Sequence, residues 1–125
     1  MVESEKITIN LGPVDLGKID VLVEQGIFSN RSDAIRTAIR NLLEQNKEII
    51  GEVKVRKSAT IGALMLDKSD LEKKKAQGKK VSLHMIGVLV LKDDVTPELA
   101  LEVFDSVSVN GIFHAPEAVK KALKC

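Results

Sequence analysis

The chain has 125 residues, 44% of them apolar and 30% charged, with a net charge of +1. That composition suits one ordinary folded domain or two very small ones. No apolar run reaches the roughly 18 residues of a membrane span, and the opening MVESEKIT lacks the basic and apolar regions of a secretory signal, so a cytoplasmic protein with no membrane partner is expected. The single cysteine, Cys125, excludes an internal disulfide.

The first element is a short alternating run, KITINL. Ile7, Ile9 and Leu11 fall on one face and Lys6, Thr8 and Asn10 on the other, the two-residue period of a strand. Its own half of the chain offers it nothing to pair with, and about forty residues is near the lower limit for burying a sufficient core. A second copy solves both problems: two such strands, paired antiparallel about a two-fold axis, seat six apolar side chains on four helices. The resulting ribbon presents Lys6, Thr8 and Asn10 twice, and a two-stranded ribbon fits the DNA major groove.

Gly12 and Pro13 stop the strand, and VDLGKIDVLVEQG reads as a helix with Leu16, Ile19, Leu22 and Val23 inward. Gly26 suits the position just past that helix, and Phe28 packs over the turn. A second helix follows in SNRSDAIRTAIRNLL: Asn30 is its N-cap, Asp33 completes an imperfect capping box, and Ala34, Ile35, Ala38, Ile39, Leu42 and Leu43 make one buried stripe. The order strand, helix, helix, carried by KITINL and SNRSDAIRTAIRNLL, resembles the ribbon-helix-helix regulators of the CopG, Arc and MetJ type over the N-terminal third of the chain. The resemblance implies a swapped homodimer that reads double-stranded DNA through Lys6, Thr8 and Asn10. It also implies a phosphate held at the start of the second helix, where Asn30, Arg31 and Ser32 take that role by position. Residues 1 to 57 hold nine Lys or Arg and nine Asp or Glu, so net charge argues mildly against DNA binding; what matters is that Lys6, Arg31 and the helix N-termini can converge on one face of a dimer.

Residues 49–60, including EVKVRKSAT, read as a linker of extended character or a first strand. Beyond them IGALML, IGVLVL and NGIFHA align on Gly62, Gly87 and Gly111, separated by 25 and 24 residues, and each is followed by a polar turn and a helical stretch. A strand and a helix at a fixed period in the twenties signal a stacked α/β solenoid, which requires parallel strands. The other reading is a compact α+β domain whose three strands happen to be alike. Pro97 and Pro116 fit the first turns of their helices.

Signals of catalysis are poor. His84 and His114 lie thirty residues apart, each interrupting an apolar strand, and Asp93 and Asp94 fit a turn before a helix. No phosphate loop or nucleophile elbow occurs, and two scattered histidines do not make the His and Cys cluster of nickel-responsive relatives, so no catalytic residue, metal or cofactor is expected. The expected fold is α+β: a ribbon-helix-helix domain over 1–48, the 49–60 segment, and an α/β repeat domain over 61–125 that oligomerises, senses an effector or contacts a protein partner. The expected function is a sequence-specific transcriptional repressor. The alternatives are an antitoxin that autoregulates its operator and a self-assembling scaffold that does not bind DNA.

Overall fold

A computed structural model describes residues 5–124. The described chain forms two compact units, one ending at Gly51 and the other beginning at Glu52.

In the first unit residues 5–12, where the alternation of KITINL predicts a strand, have no regular secondary structure, since a lone strand has nothing within the described chain to pair its backbone groups. Helices α1 (Pro13–Glu24) and α2 (Arg31–Gln45) follow. Pro13 opens α1, where its missing N–H costs nothing. Its end is a Schellman motif: the Gly26 N–H donates to the Val23 carbonyl and the Ile27 N–H to that of Leu22, both at 3.0 Å, with Gly26 at φ 77°. A side chain at position 26 would strain that backbone, so glycine ends α1 and sets where α2 starts. Asn30 caps α2 as its sequence suggests, its Oδ1 accepting from the Asp33 N–H at 2.8 Å. The reciprocal half of the box falls one residue earlier: Asp33 Oδ2 accepts from both the backbone N–H and the hydroxyl of Ser29, each at 3.1 Å.

The expected buried stripe of α2 is only partly covered. Ala34 is buried and Ile35 half-buried, while Ile39, Leu42 and Leu43 are 45%, 56% and 51% exposed. A unit of two helices has too little volume to cover that face from both sides.

Residues 49–60 require a correction. Helix α3 (Lys47–Lys57) occupies most of the segment expected to be extended. An isolated extended run would leave its backbone groups unpaired, whereas a helix satisfies them internally. The charges agree with the helical dipole, with Glu48 in the first turn and Lys54, Arg56 and Lys57 in the last. Ser58, in the left-handed region at φ 51°, ends it, and the Ala59 N–H reaches the Lys54 carbonyl at 2.8 Å.

The second unit alternates strand and helix: β1 (Thr60–Leu66), α4 (Lys68–Ala76), β2 (Val81–Leu91), α5 (Pro97–Val103), β3 (Phe104–His114) and α6 (Glu117–Leu123). The sheet order is β1-β2-β3, and both pairings are parallel. Gly62, Gly87 and Gly111 stand in register across it at φ 139°, 136° and 124°. A Cβ on Gly87 would lie 2.0 Å from the Gly62 carbonyl oxygen, and one on Gly111 would lie 2.1 Å from that of Gly87. Glycine is therefore demanded there by close approach of backbones as well as by φ.

One face of the sheet carries the core. Leu66, Met85, Leu89 and Leu91 pack with Leu71 of α4, Leu99, Ala100 and Val103 of α5, and Val119 of α6. Side chains cap the starts of α4 and α5 but not that of α6. Asp67 and Asp70 form a complete capping box for α4, Asp94 accepts from the Lys68 N–H at 3.1 Å, and Thr96 Oγ1 accepts from the Leu99 N–H of α5 at 3.2 Å. Of the acidic pair at 93–94, which lies in a turn before α5, Asp94 caps α4 and not the helix that follows it in the chain, where Thr96 is the cap.

Candidate nucleic-acid interface

Lys6, Thr8 and Asn10 are all exposed on the segment before α1. So are their alternates: Ile7 is 75% exposed, Ile9 61% and Leu11 40%. Free apolar side chains of that size on a short segment are normally covered. Beside Ile9 and Leu11 lies an open, largely apolar groove of about 480 Å³, to which Leu22, Ala38, Ile39 and Leu42 also contribute.

The second group of expected DNA-binding residues is at the start of α2. Asn30 Oδ1 is engaged in the cap, and Ser32 is exposed. The N–H groups of Arg31 and Ser32, the first two of the helix, have no acceptor among the described residues, as helical geometry requires of a first turn. They form a small positive site at the N-terminus of a helix of 15 residues.

Arg31 carries a feature that the sequence does not reveal. Its guanidinium is bound in parallel by Asp20 of α1, Nε to Oδ1 at 2.7 Å and Nη2 to Oδ2 at 2.8 Å. This bidentate pair links the two helices across the turn and fixes the side chain's direction. The Arg31 hydrogen bond, with its charge behind it, holds the Asp20 carboxyl below the ordinary aspartate range, and Asp20 in turn raises the Arg31 guanidinium. Three of its five N–H donors, two on Nη1 and one on Nη2, are not used by this pair. Asp33, held low chiefly by the Ser29 N–H and then by its hydroxyl, adds a fixed negative charge to the same turn. Asp20 was not legible as a partner because the pair spans eleven residues and depends on the angle at which two helices meet. No hydrogen bond among the described residues joins Lys6, Thr8 or Asn10 to the cap residues.

In the second unit, a wide hollow of about 750 Å³ lies at the carboxyl ends of β2 and β3, with Lys92, Asp93, His114 and Lys120 on its wall. His84 lies within β2, half-buried, with Nδ1 buried and unpartnered among the described residues. His114 is exposed at the end of β3. No helix among the described residues is long and apolar enough to cross a membrane.

A sequence profile of the Ribbon-Helix-Helix transcriptional regulator family matches residues 2–120. The chain is also similar to the transcriptional regulator CdrS of Halobacterium salinarum, with 32% identity over 47 residues that span 38% of this chain and 86% of that protein. No solved structure matches.

Proposed function

The chain belongs to the Ribbon-Helix-Helix transcriptional regulator family and is a DNA-binding transcriptional regulator, and from that premise we propose that it acts as a repressor whose N-terminal segments pair across a homodimer and enter the major groove. The observation that carries this reading is the alternation of residues 6–11. Ile7, Ile9 and Leu11 stand exposed near an open apolar groove, and Lys6, Thr8 and Asn10 occupy the intervening positions. Pairing with a second copy buries the apolar face and, by the same geometry, turns the polar face outward as a two-stranded ribbon. Thr8 and Asn10 have hydrogen-bonding groups suited to base edges, and Lys6 reaches guanine or phosphate.

At the start of α2 the free N–H groups of Arg31 and Ser32 hold a phosphate, with the Ser32 hydroxyl as a third donor. The Arg31 guanidinium spends two of its five donors on Asp20, so it meets that phosphate through the remaining three, two on Nη1 and one on Nη2. Asn30 contributes by shaping the turn. The 61–125 region supplies three strand-helix units that we infer to be copies of one repeat, since their glycines share a register.

Selection of the full-length chain on random duplexes, followed by a salt titration on the enriched site, tests the proposal. The expected outcome is a palindromic or tandem site. Asn10→Ala should then cost on the order of 1–3 kcal/mol on that site and relax preference at one base position per half-site. Lys6→Ala should weaken binding evenly across sequences and flatten the salt dependence by about one unit of slope for each phosphate that is no longer neutralised. If no duplex is enriched and affinity at physiological salt stays at the non-specific level, the proposal fails.

A further inference from the structure

Strand alternation places every second residue of β1, β2 and β3 on the face away from the buried core. Ile61, Met65, Ile86, Val88, Val90 and Ile112 lie there, and none belongs to the core cluster. Ile61 and Met65 are 53% and 49% exposed, and the other four are half-buried. The rest of that face, over 61–65, 82–90 and 106–114, is alanine, serine, asparagine and the two histidines, with no carboxylate, ammonium or guanidinium. In a chain that is 30% charged, such a surface stands out. Parallel sheets are found almost only with both faces covered, and depletion of charge is what marks the centre of a protein interface.

We infer that this sheet face packs against the same face of a second copy of the chain. Two properties select that occupant. A surface without charge of either sign meets itself without repulsion, as a two-fold contact requires, and offers no electrostatic handle to a charged partner. Its extent is also modest. Three strands about 4.8 Å apart and about 3.3 Å per residue give a patch of roughly 330 Å² over the seven residues of β1. That is well below the roughly 800 Å² per partner of a stable complex between free proteins. A copy already tethered through the N-terminal unit needs far less area, because the second contact forms at raised effective concentration. The inference therefore rests on the dimer proposed above. Val88, on the central strand and in register with Ala63 and Ile112, occupies the middle of the face.

The test uses the full-length chain with Cys125→Ser, which removes the only cysteine. A single thiol is introduced as Val88→Cys or, for reference, as Glu98→Cys on α5. Sedimentation equilibrium gives the mass of each variant, a soluble maleimide gives the thiol reactivity, and a short bis-maleimide gives chain-to-chain cross-linking. The expected result is a mass of two or of four chains, alkylation of Val88→Cys about tenfold or more slower than that of Glu98→Cys, equivalent to about 1.4 kcal/mol of protection, and cross-linking of Val88→Cys alone. Two chains place the contact within a dimer; four place it between dimers. A dimer in which Val88→Cys reacts as fast as Glu98→Cys, or is protected yet joins no second chain, overturns this inference and leaves the N-terminal dimer standing. A monomer in both variants overturns the two together.

Discussion

Alanine substitution along the glycine column separates two costs that usually occur together. Gly62, Gly87 and Gly111 share nearly the same φ, so a side chain meets similar backbone strain at each, on the order of 1–3 kcal/mol. Space differs. A Cβ on Gly62 has nothing within 4 Å, whereas one on Gly87 would stand 2.0 Å from the Gly62 oxygen, where at least 3.0 Å is needed. The strands must part by about 1 Å, which takes the neighbouring ladder bonds out of hydrogen-bonding range and adds roughly 1–3 kcal/mol for each buried group left unpaired. Gly62→Ala should therefore destabilise the second unit by about 1–3 kcal/mol and Gly87→Ala by about 4 kcal/mol or more, a large share of the roughly 5–15 kcal/mol that holds a domain together. Because the chain has two units, global unfolding is a poor readout; amide exchange of Val88 and Leu89 in the full-length protein reports on the sheet directly. If the two variants lose the same protection, close approach does not set the requirement for glycine and the reasoning fails.

Two further outcomes concern the first unit. The Asp20 carboxyl, followed by NMR, should titrate below its ordinary value of 3.8, and Arg31→Ala should raise it. Since its folded value is depressed, the stability contributed by this pair is present above the unfolded value and is lost as pH falls through the folded one, so Asp20→Asn should remove that acid dependence. Asn30→Ala should cost about 1 kcal/mol through loss of the cap to the Asp33 N–H, seen as faster amide exchange in the first turn of α2; unchanged exchange would mean that Ser29 and Asp33 hold the turn alone.

The alternation of KITINL, the glycine that ends α1, the Asn30 cap of α2 and the spacing of Gly62, Gly87 and Gly111 were all readable in the chain, because each rests on local backbone geometry or on a period. Other features depend on where separate segments come to lie. The segment 47–57 is a helix and adds no fourth strand to the sheet, although β1 and β3 each keep a free edge, and EVKVR alone does not reveal that choice. The Asp20–Arg31 pair needed the angle between two helices. Apolar residues in both faces of β2 could be counted in the sequence, but only the packing of α4, α5 and α6 on one side decided that Met85 and Leu89 would be core and that Val88 and Val90 would be left for something else to cover. Periodicity determines which residues share a face; the rest of the chain determines what that face meets.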